Sequence, residues 1–151
     1  MRLIGLILIL SLNACAGTKN ASNVFEPEAT DRLILQRTGC YGTCPIYEVV
    51  IFGNGIITYT GKQYADRTGK FISQLDSEIT FAVFNKAAKL SWGEYPNEFP
   101  IDNVDFPQFF IGMQTEKIDR IIKANSQADP ELIQLGLEID KLCDGISWQE
   151  Q

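Results

Sequence analysis

The chain has 151 residues, with 13 basic and 19 acidic side chains, no histidine and a formal charge of −6. That length suits one domain with a single core, and the acidity argues against nucleic acid, whose phosphates demand a basic surface. Without histidine, Ser-His-Asp and Cys-His catalysis, His-ligated zinc, c-type haem attachment and His general bases are excluded, which leaves carboxylate, Lys, Tyr or thiol chemistry.

The first fourteen residues have the form of an export signal: Arg2, an apolar run from Leu3 to Leu12, then Leu12-Asn13-Ala14-Cys15. A ten-residue run makes about 15 Å of helix, half of what spans a bilayer core. The last four residues resemble the lipobox of bacterial lipoprotein precursors. That resemblance implies cleavage before Cys15, a diacylglyceryl group of the palmitate class on its sulfur, and commonly a further acyl chain on the new N-terminus. Two or more acyl chains hold a membrane stably. Loss of Arg2 leaves twelve basic against nineteen acidic residues, a charge of −7. This disfavours docking on anionic headgroups, so the membrane contact is through lipid on Cys15. Ala16 is not the aspartate associated with inner-membrane retention, and no strongly acidic stretch follows. The expected location is the cell envelope, at the outer membrane and facing the periplasm. Residues 15–31 read as the lipidated cysteine and a flexible tether, small and polar, with an average reach of about 20 Å.

A single domain is expected over 32–151. Arg32 to Gln36 is a first strand, and Thr38 to Pro45 leads into Ile46 to Phe52, rich in β-branched and aromatic residues. Gly53-Asn54-Gly55 and then Ile56 to Thr60 complete the strongest hairpin signal in the chain. Gly69 to Leu75 makes a fourth strand. Asp76 or Ser77 caps a helix reaching about Leu90, with Ile79, Val83, Ala87 and Leu90 on one face. Ser91 to Pro107 is an irregular acidic stretch. Gln108 to Gln114 and Lys117 to Ile122 form a second hairpin, and Asp129-Pro130 starts a last helix with Leu132, Leu135, Ile139, Leu142, Cys143 and Ile146 on one side. The order ββββαββα predicts an α+β fold: a mainly antiparallel sheet of about six strands with two helices on one face.

A two-residue turn at Asn54-Gly55 pairs Phe52 with Ile57 and Val50 with Tyr59. Alternation then puts Ile46, Val50, Phe52, Ile57 and Tyr59 under the helices. Tyr47, Val49, Ile51, Thr58 and Thr60 fall on the uncovered face, the expected partner surface.

The run Arg37-Thr38-Gly39-Cys40-Tyr41-Gly42-Thr43-Cys44-Pro45-Ile46-Tyr47 resembles the signature of a bacterial family, domain of unknown function 6438, often found in lipoproteins. Gly53-Asn54-Gly55, Tyr59 with Gly61, and Asp105-Phe106-Pro107 match it too, while Val104 stands where the pattern expects threonine. The resemblance spans Leu33 to Cys143 and implies the family's fold and envelope location. It transfers no activity and no catalytic residue.

Cys40 and Cys44 are expected to form a disulfide, the default for neighbouring thiols outside the cytoplasmic membrane. Gly42 supplies the positive φ that so tight a ring needs. A redox-active pair is the alternative, although the spacing is Cys-x₃-Cys and no helix follows to lower a thiol pKa. Cys143 is expected free on the apolar face of the last helix, with pairing to Cys40 or Cys44 as the other connectivity. Glu94, Glu98, Asp102 and Asp105 read as a solvated acidic loop, because calcium needs six to eight converging oxygens. No metal, no cofactor and no catalytic residue is assigned. The expected function is a non-catalytic, lipid-anchored domain that binds an envelope protein or ligand. The alternatives are a thiol–disulfide protein using Cys40 and Cys44, and a structural envelope component or inhibitor of an envelope enzyme.

Overall fold

The computed structural model describes residues 24–101 and 105–151. The signal segment, Cys15, the start of the tether, Asp102 and Val104 lie outside these residues.

Seven strands form one antiparallel sheet: β1 (Arg32–Arg37), β2 (Ile46–Phe52), β3 (Ile56–Gln63), β4 (Gly69–Gln74), β5 (Phe109–Gln114), β6 (Asp119–Ala124) and β7 (Gln149–Glu150). Their spatial order is β6-β5-β1-β2-β3-β4-β7. Helices α1 (Ser77–Ala88) and α2 (Pro130–Asp144) pack on one side. This is the expected α+β class, with a seventh strand of two residues that is too short to carry a period.

α2 begins as its sequence demands. The Asp129 side chain accepts from the Glu131 amide at 2.8 Å, and Pro130 fills the first turn, where its missing N–H is no loss. Leu132, Leu135, Ile139 and Cys143 are buried along one stripe. α1 turns differently from the expectation: Thr80, Val83, Phe84 and Ala87 face inward, and Ile79 is exposed. The hydroxyl of Thr80 donates to the Asp76 carbonyl, so a threonine is tolerated inside.

The hairpin joining β2 and β3 corrects the partner-face expectation. The Gly55 amide donates to the Phe52 carbonyl and Gly55 takes φ +85°, which makes a three-residue loop of Gly53, Asn54 and Gly55. Register follows: Ile51 pairs with Ile57, Val50 with Thr58 and Val49 with Tyr59. One residue of slip inverts the faces of β2. Val49 and Ile51 are fully buried and Tyr47 points to the helix layer, whereas Ile46, Val50 and Phe52 join Thr58 and Thr60 on the bare side.

Ordered packing begins before Arg32. Both backbone polar groups of Phe25 bond the Asn85 side chain, at 2.8 and 2.7 Å, and its ring lies against Phe84. Asp31 is buried and accepts from the Glu28 amide. Residues 24–31, read above as tether, are therefore part of the domain. Both sheet edges are partly covered. Asn97 and Phe99 exchange backbone bonds with Lys123 on β6, and β7 covers Phe71 and Ile72 on β4.

Candidate functional site

The paired residues Arg37, Tyr47, Gly61 and Gly69 mark one end of the sheet, and Arg32, Phe52 and Gln114 mark the other, from which residues 24–31 lead in. The signature builds the first end. The amide and hydroxyl of Thr38 both donate to the Gln108 carbonyl, at 3.2 and 2.7 Å, tying the signature to the start of β5. Cys40 and Cys44 are disulfide-bonded with Cα atoms 5.6 Å apart, and Gly42 between them takes φ +155°. A register shift at Ile46 and Tyr47 returns the chain to regular pairing with β3. Cys143 is free and buried.

Beneath this loop lies a polar clamp. Asp140 on α2 accepts from Arg37 and, at 2.5 Å, from the Tyr47 hydroxyl. Arg37 also covers the Phe109 ring, 4.8 Å from its centroid. Tyr47 stacks on Tyr59, which meets Trp148 at 5.6 Å, and the Arg67 guanidinium lies over both of the latter rings. Gly61 makes this possible: a β-carbon there would come within 1.8 Å of the Arg67 carbonyl. Burial, then the hydrogen bond to Asp140, pushes the Tyr47 phenol far above its ordinary value. Burial pushes Tyr59 up to about 12, against the lowering effect of Arg67. Phenols held neutral so firmly are poor bases and poor nucleophiles at neutral pH. The charges of Arg37 and Asp140 answer each other, so the clamp acts as a frame joining the signature to α2.

Three exposed aromatic side chains stand at the same end. Tyr41, inside the disulfide ring, is 91 % exposed; Tyr64, in the β3–β4 hairpin, is 55 % exposed; Phe106, just before β5, is 50 % exposed. The acidic loop residues do not gather: Glu98 pairs with Lys123 at 2.7 Å, and no group of three metal-capable side chains converges among the described residues.

These residues coincide with a known sequence family. The family described as Domain of unknown function (DUF6438) matches residues 31–143, about three quarters of the chain. The chain belongs to this family. No curated protein matches it. In this DUF6438 domain the Cys-Tyr-Gly-Thr-Cys segment is the disulfide loop, Gly53-Asn54-Gly55 the three-residue turn, and Asp105-Phe106-Pro107 the approach to β5. Arg37 and Tyr47, which bracket the signature, hold the clamp. Asp140, Arg67 and Trp148 had escaped the sequence reading. The one available signal was an aspartate beside the apolar stripe of α2.

Proposed function

We propose that this protein is a non-catalytic interaction domain of a bacterial cell envelope, anchored through lipid on Cys15, at the outer membrane and on its periplasmic side. It binds an envelope protein or ligand through the signature end. The carrying observation is Tyr41, almost fully exposed on a loop closed by the Cys40–Cys44 bond, opposite the end where residues 24–31 enter. An exposed tyrosine supplies a large contact area at little cost in side-chain entropy, and a covalently closed loop lowers the ordering cost of binding. Tyr64 and Phe106 at the same end widen that surface.

A photoreactive phenylalanine analogue at position 41, introduced in intact cells, tests the reading, with the same analogue at Ile79 on α1 as control. Adducts are expected from position 41 and not from 79. Adducts from 79 alone, or from neither, would remove the signature end from consideration. Cys15→Ser tests the anchor separately, by moving the protein out of the detergent phase in a membrane partition. The thiol–disulfide alternative makes a different demand: Cys40→Ser with Cys44→Ser then abolishes function outright, while Tyr41→Ala leaves it intact.

A further inference from the structure

The helices cover one side of the sheet and leave the other bare. Register aligns Ile121, Gly112, Ile34, Val50, Thr58 and Ile72 into a single row across six strands. At about 4.8 Å per strand the row is about 24 Å long. It is apolar except at Thr58, and Ile121 is 45 % exposed. Charged residues flank it, Lys123 and Glu48 on the signature side and Arg32 and Asp119 on the other. Arg32 and Glu48 lie on adjacent strands four register positions apart. Neither side chain has a hydrogen-bond or ion-pair partner among the described residues.

We infer that the occupant of this face is a second copy of the chain, stacked sheet on sheet about a two-fold axis along the apolar row. Rotation about that axis lays every strand over its own copy and exchanges the flanking rows. Ile34 then meets Ile34 and Val50 meets Val50. Lys123, already held by Glu98, faces the partner's Asp119. Arg32 lies one strand, about 5 Å laterally, from the partner's Glu48. Each contact occurs twice, and neither pairs like charges. A two-fold axis along the strands instead sets Lys123 of β6 over the partner's Lys70 of β4, a like-charge contact that disfavours it.

Size agrees with this occupant. Six strands and three rows cover about 500 Å² per copy, so the pair buries about 1,000 Å², the lower limit for a specific interface. Such a dimer is weak in solution, and confinement to a membrane raises the local concentration that drives it. The two-fold places the residues 24–31 of the two copies at opposite ends. On the lipid-anchored reading, the nine residues from Cys15 to Val24 extend up to about 30 Å, so both anchors reach one membrane with the sheets lying flat.

The test is sedimentation equilibrium of the full chain in a density-matched detergent, at up to about 100 µM, where a weak dimer is populated. Zero-length amine–carboxyl crosslinking runs in parallel. The expected result is a dimer carrying an Asp119–Lys123 crosslink, which cannot form within one chain because four residues of strand separate the two by about 13 Å. Arg32→Glu and Glu48→Arg are each expected to weaken the dimer at least about tenfold, and the double variant to recover most of that loss. Val50→Lys is expected to abolish the dimer while leaving the circular dichroism unchanged. A monomeric wild type overturns the proposal and leaves the face to a different protein. A dimer indifferent to Val50→Lys overturns it equally, as does a double variant no better than either single one.

Discussion

Lysine at Val49 and lysine at Val50 are expected to behave as opposites, although the two positions are adjacent and chemically identical. Val49 is fully buried beneath the helices, between Leu35 and Tyr59 on the neighbouring strands. Replacing it forfeits about 2 kcal/mol of apolar burial. The new ammonium must also shed its proton to stay inside. Holding a lysine neutral with its pKa near 6 instead of about 10.4 costs about 6 kcal/mol. The total, about 8 kcal/mol, is comparable with the whole stability of a domain this size. Val50 lies on the bare face between Ile34 and Thr58, where lysine reaches water and the expected cost is below about 1 kcal/mol. Urea unfolding followed by fluorescence reads both, because Trp92 is buried and Trp148 packs against Tyr59. The expected outcome is a Val49→Lys chain unfolded without denaturant and a Val50→Lys chain with a near-normal midpoint. The reverse pattern, or two equal midpoints, would show that β2 is out of register by one residue.

Asp140→Asn leaves both donors of the clamp with a neutral acceptor. The expected loss is about 2 kcal/mol, or about 8 °C in the melting temperature. Tyr47→Phe is expected to cost about half as much, and the two changes together less than their sum, because the groups share one network; a double-mutant cycle with no coupling rejects the clamp. Alkali is expected to destabilise the fold in two stages. Burial first, then the charge of Asp140, pushes the Cys143 thiol from 9.0 up to about 12, and burial pushes Tyr59 from 10.0 up to about 12. The unfolded chain therefore releases protons that the folded chain retains. Stability is full below about pH 9 and is lost as pH rises toward 12, by at most about 1.4 kcal/mol per unit for each group. Thermal melts of wild type and Cys143→Ala check this, since the variant is expected to lose the first stage between pH 9 and 10; parallel curves refute it.

Element type and order were largely legible from local chemistry: β-branched runs, the Asn-Gly turn and the Asp129-Pro130 start each mark their element with residues close in the chain. The face of β2 was harder. Tyr47, Val49 and Ile51 alternate with Ile46, Val50 and Phe52, so both sides look apolar, and one turn residue decides which is inside. The deciding clue was Glu48, the one charged residue of the strand, which shares its face with Val50 and therefore marks that face as the wet one. Ile79 misled in the same way, because Thr80 finds a backbone acceptor in α1 and turns inward in its place.

The signature end was legible only as a loop, because what supports it comes from distant parts of the chain. Arg37 and Asp140 are 103 residues apart and Tyr47 and Asp140 are 93 apart, separations that no spacing argument reaches. Physically the division is reasonable. The disulfide shapes a five-residue ring without needing the rest of the fold, whereas the direction in which that ring points depends on β1 and β2 being held to α2. A closed ring on a loosened frame would keep Tyr41 exposed and lose its fixed position. Binding at the signature end is therefore expected to depend on Asp140 as much as on Cys40 and Cys44, even though Asp140 touches neither cysteine's loop in sequence nor any exposed aromatic ring.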